Sequence, residues 1–288
     1  MKVVTEVLVQ LVNNAPIAQR IERLTPIQKA AGSIPVGRAK EIFMHINTIQ
    51  YHSYILDKDI NINIYGSNGQ PILAFPTQNS KADNYESFGL IDEIADYINN
   101  EKIQVFVVDS IDEETWSSDG DKQWKSNRQE QYFNFIINEV LPIINKKAPS
   151  KKLPLTFGCS LGANHATICF LRRPDLFSGL LALSGVFNSR YFYGDYSDGN
   201  LYNNSPEVFL PNMPNNHPYI NTYNQKKIIF CIGQGPYEDM GIPTYKYLEY
   251  LFNTKGINAW FDYWGSDVSH DWYWWHKQIK YFLPYLLD

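Results

Sequence analysis

The sequence predicts an α/β fold, a mostly parallel central sheet covered by helices on both faces. Three observations carry that reading. Short apolar runs alternate with helical patterns from Pro71 to Leu287, the order expected of strands joined by crossover helices. One apolar run, Leu153 to Phe157, passes through the tight turn Gly158-Cys159-Ser160-Leu161-Gly162 straight into a helical pattern of Ala163, Ala166, Ile168, Cys169, Phe170 and Leu171. The chain has 288 residues, 44% of them hydrophobic, enough for one full core without a stretch of linker composition.

Residues 1–43 stand apart. Pro16, Pro26 and Pro35 interrupt them, and no period holds beyond one turn. Ile17-Ala18-Gln19-Arg20 and Gly32-Ser33-Ile34-Pro35 read like translated D-arm and T-arm sequences of a transfer-RNA gene. The expectation is a non-native or disordered extension, 1–43, ahead of one domain, 44–288, with translation starting at Met44.

From there each element has a local reason. Residues 48–56 and 59–65 alternate, with Ile60, Ile62 and Ile64 on one face, and read as a hairpin turning at Lys58-Asp59. Residues 71–76 form a buried strand that runs into the polar loop Thr77-Gln78-Asn79-Ser80. A helix over 91–99 and a strand over 103–109 follow. Residues 110–127 read as a loop carrying Trp116 and Trp124. An amphipathic helix, 128–144, puts Tyr132, Phe135, Ile136, Val140 and Leu141 inward. After the turn at Ser160 and its helix come a strand over 179–185, an aromatic loop over 187–225 and a strand over 227–232. A helix over 244–254, a strand over 259–264 and a last helix over 274–287 complete the series.

Composition excludes several roles. Net charge is −5 with the signs mixed, which argues against nucleic acid as a partner. No apolar run approaches membrane-span length, and Glu6 and Gln10 break the apolar start, so no membrane role and no secretory signal are expected. Cys159, Cys169 and Cys231 lack metal or redox spacing and read as buried free thiols of a reducing, cytoplasmic compartment. No His/Cys/Asp cluster has ligand spacing, so neither a metal nor another cofactor is expected.

Strand, tight turn, helix, with serine at the apex, is the context in which Gly-x-Ser-x-Gly means a nucleophile elbow. The flanking glycines let strand and helix pass closely. The Leu161 N–H, at the start of a helix, points where an oxyanion would develop. A serine hydroxyl needs a neutral imidazole in reach, and the imidazole needs an acceptor on its other nitrogen. Glu238 and Asp239 lie in the loop after strand 227–232, and His270 lies after strand 259–264. Ser, acid, His is the chain order of α/β-hydrolases, and loops at the carboxyl ends of parallel strands meet at one site. Among Glu238, Asp239 and Asp267, Glu238 has the reach to cross to the next strand end.

Gly158-Cys159-Ser160-Leu161-Gly162, Gly233-Gln234-Gly235-Pro236-Tyr237-Glu238 and Ser269-His270-Asp271-Trp272-Tyr273-Trp274-Trp275 together resemble the putative-esterase (esterase D-like) family of α/β-hydrolases, related to the antigen 85 mycolyltransferases. The resemblance covers roughly 45–288. It implies a serine esterase acting on a small-molecule ester, with Ser160 as nucleophile, His270 as base and Glu238 as the acid that orients it. The second oxyanion N–H falls on Gln78 or Asn79. Tyr237 stands where close relatives carry Trp, and the oxyanion loop lacks the glycine-rich form of lipases.

Other candidates read more plainly. His165 reads as packed on the elbow helix, His276 as exposed, Ser184 as a strand-end turn, and Asp109 as a solvated strand end ahead of the alternative that it lines the site. The aromatic loop either walls a pocket or is held by its own tyrosines. The same triad could instead serve an acyltransferase or a thioesterase, and the same fold a non-catalytic binding module.

Overall fold

The computed structural model describes residues 44–287, so the expectation for 1–43 lies outside the described residues. Eight strands form one sheet: β1 (Ile46–Ser53), β2 (Lys58–Tyr65), β3 (Gln70–Phe75), β4 (Ile103–Val108), β5 (Leu155–Cys159), β6 (Gly179–Leu183), β7 (Lys227–Ile232) and β8 (Trp260–Tyr263). Their spatial order is β1-β2-β4-β3-β5-β6-β7-β8. The first two pairings, β1 with β2 and β2 with β4, are antiparallel, and all the others are parallel.

Four long helices pack on this sheet: α1, a continuous run of Lys122–Phe135, Ile136–Val140 and Leu141–Lys147; α2 (Leu161–Arg172); α3 (Gly241–Lys255); and α4 (Trp272–Leu287). The pleat divides each strand between two cores. Ile62, Ile64, Leu73, Phe75, Phe106 and Val108 face α1, α2 and α3. Ile72, Ala74, Val105, Val107, Leu181 and Ile229 face α4 and the short helices before β4. Every residue of β4 and β5 is buried. At about 1.5–3 kcal/mol for each large apolar side chain removed from water, these central strands hold the sheet together. Among the described residues, no helix is long and apolar enough to cross a membrane.

Several element boundaries differ from expectation, each for a local reason. The hairpin turns at 54–57, not at Lys58-Asp59, because Asp57 takes the left-handed conformation (φ 53°) and Lys58 already pairs with Ser53. The expected helix over 91–99 is split into Leu90–Glu93 and Ala95–Asn99 where Ile94 leaves the helical conformation (φ −110°, ψ 11°), and a further short helix, Asn84–Ser87, precedes them, set off by the left-handed Gly89 (φ 76°). Helix α1 begins at Lys122 because the Asp121 carboxylate caps its first turn, accepting the Trp124 N–H at 2.8 Å. Trp124 is thereby helical. The aromatic stretch after β6 folds into four short helices, Arg190–Tyr193, Gly199–Asn203, Pro206–Asn212 and Pro218–Asn224. Each is too short for a 3.6-residue period to register.

Candidate active site

The site is built at the carboxyl ends of β3, β5, β6, β7 and β8, and backbone chemistry sets it. Ser160 sits at φ 55°, ψ −128°, a region non-glycine residues rarely occupy. Its N–H donates to the Leu183 carbonyl at 2.9 Å, and the Ala163 N–H returns to its own carbonyl at 3.0 Å. A Cβ on Gly158 would overlap the Gly162 carbonyl, and a Cβ on Gly162 would overlap the Phe75 carbonyl oxygen. Both glycines are therefore required by close backbone passage. Tyr85 adds a stay: its hydroxyl donates to the Phe75 carbonyl at 2.7 Å and accepts the Cys159 N–H at 3.0 Å.

The loops after β7 and β8 are laced together. Gly235 N–H donates to the Val268 carbonyl at 2.8 Å, Gln234 N–H to the Gly265 carbonyl at 3.2 Å, and His270 N–H to the Pro236 carbonyl at 3.0 Å. This lacing brings Glu238 opposite His270. His270 Nδ1 lies 3.0 Å from Glu238 Oε2, and His270 Nε2 lies 2.9 Å from Ser160 Oγ. A carboxylate only accepts, so Nδ1 carries the proton and Nε2 is left to accept from Ser160. Glu238 is 1% exposed and His270 6%. Asp239 and Asp267, the other acidic candidates, are exposed to solvent.

Ser184, read in the sequence as a strand-end turn, and Trp275, quoted there only within the motif around His270, belong here. Ser184, itself left-handed at φ 53°, donates its hydroxyl to Glu238 Oε1 at 2.6 Å. Trp275 Nε1–H donates to Ser184 Oγ at 3.1 Å, and its ring meets the His270 ring edge-on at 5.0 Å. A strand-end turn was the expected role for Ser184; the close approach of β6 to the loop after β7 gives it a second one. Only the short Ser184-Gly185 step after an apolar strand hinted at it.

Two other readings change, and a third gains a partner. Asp109 is buried, not solvated, because its carboxylate accepts the Ala82 N–H at 2.8 Å and the Asn61 N–H at 2.9 Å. His276 is half-buried, with Nδ1 3.8 Å from Glu93 Oε1. His165 is packed as expected, yet its Nε2 lies 2.7 Å from the buried Asp112 Oδ1, a pairing that no sequence spacing announces.

Leu161 N–H opens α2, where the first amides have no intrahelical acceptor. Of the two loop candidates, Asn79 N–H is already committed, donating to Asp112 Oδ2 at 3.0 Å. Gln78 N–H has no acceptor among the described residues. A cleft of about 390 Å³ lies between the first short helix after β6 and the start of α3, lined by Phe187, Arg190, Tyr191, Val208 and Tyr247. It is formed without Ser160, His270 or Glu238. Cys159, Cys169 and Cys231 are buried free thiols, and burial pushes the pKa of all three up, so none is poised as a thiolate. Among the described residues, no three His, Cys, Asp or Glu side chains gather as a metal site.

No curated protein matches the sequence. Solved structures do match it in fold. A ferulic acid esterase aligns with a TM-score of 0.66 at 15% identity, over 85% of this chain and 97% of its own. The S-formylglutathione hydrolase FrmB of Staphylococcus aureus aligns with a TM-score of 0.63 at 17% identity, over 89% of this chain and 100% of its own. MPT51 of Mycobacterium tuberculosis aligns with a TM-score of 0.58 at 14% identity, over 84% of this chain and 98% of its own. The family model described as Putative esterase matches residues 53–286. The chain belongs to the Putative esterase family and is a carboxylic ester hydrolase with the α/β-hydrolase fold.

Proposed function

We propose that the chain hydrolyses a small-molecule carboxylic ester through an acyl-enzyme on Ser160. The observation that carries this reading is the unbroken line Ser160 Oγ, His270 Nε2, His270 Nδ1, Glu238 Oε2, with both links at hydrogen-bond length. Ser160 Oγ attacks the ester carbonyl while its proton passes to His270 Nε2. The carbonyl oxygen takes the negative charge and is held by the Leu161 and Gln78 N–H groups. The imidazolium is stabilised by the buried Glu238 carboxylate, which the Ser184 hydroxyl fixes from its other oxygen. His270 then returns the proton to the leaving alkoxide, and the alcohol departs. Water, deprotonated by His270, attacks the acyl-enzyme; Ser160 recovers its proton and the acid is released.

A fluorophosphonate probe tests the reading directly. The intact protein should be labelled on Ser160 and Ser160→Ala should not. A protein that is folded yet unreactive would be a binding module on the same fold. A panel of acyl-nitrophenyl esters, acetylated sugars and thioesters then places the substrate. The thioesters belong in it because one matching structure is named an S-formylglutathione hydrolase. Transfer of the acyl group to an added alcohol or thiol in preference to water would make the enzyme an acyltransferase.

A further inference from the structure

The loop that carries Gln78 is tied at the amides around it. Thr77 N–H donates to Asn84 Oδ1 at 3.0 Å, Asn79 N–H to Asp112 Oδ2 at 3.0 Å, Ser80 N–H to the Thr77 carbonyl at 3.1 Å, and Ala82 N–H to Asp109 Oδ1 at 2.8 Å. Asn79 is itself left-handed, at φ 59°, a conformation that Asn reaches more readily than other side-chain-bearing residues when its short side chain finds a hydrogen bond. It persists because both ends of the residue are held. Asp112 takes its N–H, and Ser117 Oγ donates to its side-chain carbonyl.

Asp112 is an expensive anchor. It is 0% exposed, and a carboxylate in such a place is costly unless each oxygen has a donor. One oxygen has Asn79 and the other has His165 Nε2. His165 is 1% exposed, stacked on Phe75 at 5.9 Å and edge-on to Tyr132 at 4.9 Å. It stands on α2, the helix that Ser160 opens. Asp112 and His165 thus join the loop to the nucleophile's own helix by two hydrogen bonds, the one between them buried and the one to Asn79 partly so.

The geometry points to Asp112 and His165 as positioning residues for the oxyanion hole. By holding the Asn79 amide away from the site, they leave the Gln78 amide facing it, in register with Ser160. This rests on the acyl-enzyme reading above. The pair touches neither Ser160 nor His270 in the hydrogen-bond network, so its loss should lower transition-state stabilisation and leave the base intact.

The test compares His165→Leu, Asp112→Ala and His165→Gln with the wild type, with near-UV circular dichroism as the check on folding. A glutamine Nε2–H can replace the imidazole N–H toward Asp112, whereas leucine cannot. His165→Leu and Asp112→Ala should lose about 10- to 100-fold in kcat, with KM and the acid limb of the pH profile unchanged. Fluorophosphonate labelling should slow in step. His165→Gln should stay within about threefold of wild type in both. A folded His165→Leu with wild-type kcat overturns the proposal. Wild-type amide exchange gives a reading that does not depend on any variant folding. The Asn79 N–H should exchange about 100-fold more slowly than the Gln78 N–H, and Gln78 should become protected once Ser160 is phosphonylated. Equal exchange at the two amides overturns the proposal. A wild type that the probe does not label overturns the Ser160 reading, and the positioning role with it.

Discussion

Replacing Glu238 with Gln changes one oxygen to an amide nitrogen and leaves the shape intact. Its consequence can be worked through from the two bonds that the carboxylate accepts: Ser184 Oγ–H on Oε1 at 2.6 Å and His270 Nδ1–H on Oε2 at 3.0 Å. A carboxylate satisfies both, but an amide has one acceptor and one donor end. If its carbonyl keeps Ser184, its NH₂ meets His270 and forces the tautomer with the proton on Nε2, where Ser160 then finds no acceptor. If its carbonyl keeps His270, its NH₂ meets a Ser184 oxygen that already accepts from Trp275 Nε1, and the buried Ser184 proton is orphaned. That orphan costs about 1–3 kcal/mol, which favours the first arrangement. The variant also removes the charge that steadies the imidazolium. Together these should lower kcat/KM by about 10²- to 10⁴-fold, equivalent to about 2.7–5.4 kcal/mol of transition-state stabilisation. Steady-state hydrolysis of a nitrophenyl ester reads the loss. Nitrogen chemical shifts of His270 read its cause, with the proton moving from Nδ1 to Nε2. Activity within tenfold of wild type would refute the role of Glu238. Lost activity with the proton still on Nδ1 would refute the tautomer argument and leave only the charge.

Two further outcomes are expected. Ser160→Ala and Ser160→Gly should both lose at least about a thousandfold in turnover. Glycine should be the more stable of the two by about 1 kcal/mol in urea unfolding, because only alanine keeps a Cβ at φ 55°; equal stabilities would show the turn to be unstrained. Lys125 is buried, its Nζ bonded to the carbonyls of Trp116, Ser118 and Phe192 and set over the Tyr193 ring. Desolvation pulls its ammonium down to about 8 from an ordinary 10.5, with Asp119 opposing and Lys122 adding to the shift. Between those values the unfolded chain binds the extra proton, so this group makes stability rise with pH from about 8 toward 10. Urea unfolding at pH 7.5 and 9.5 should show wild type gaining on Lys125→Met, and a constant gap would exclude a depressed Lys125.

What the sequence made legible is what repeats or is spaced along the chain. The strands from β3 to β7 announced themselves because buried parallel strands are nearly unbroken apolar runs, as in Ile103 to Val108. Ser160, Glu238 and His270 were nameable because each follows a strand and the topology carries strand ends to one edge. The roles of Ser184, Trp275, Asp112 and His165 escape the sequence because they depend on contacts across 54, 91 and 53 positions: Ser184 to Glu238, Trp275 to Ser184 and Asp112 to His165. No local period encodes such pairs. Asp109 misled for the same reason: strand-end acids are usually solvated, and here the acceptor it provides is for backbone on another segment. The sequence leaves Gln78 and Asn79 both open as the second oxyanion donor, and the contact that separates them, Asp112 accepting the Asn79 N–H, is encoded by no spacing.

The overlap that a Cβ on Gly162 would make with the Phe75 carbonyl has a consequence for how this enzyme can change over generations. The first turn of α2 and the end of β3 meet main chain to main chain, so the spacing between the serine and the loop at Gln78 is set by atoms that every amino acid shares. Mutation can alter the side chains facing an incoming ester without moving that spacing. The segment between β6 and β7 is anchored differently, by side chains: Tyr193, Leu201, Leu210 and Tyr223 enter the core. A lineage built this way can change which side chains surround the serine while inheriting the same backbone spacing unaltered. The two glycines of the elbow are the positions it cannot vary.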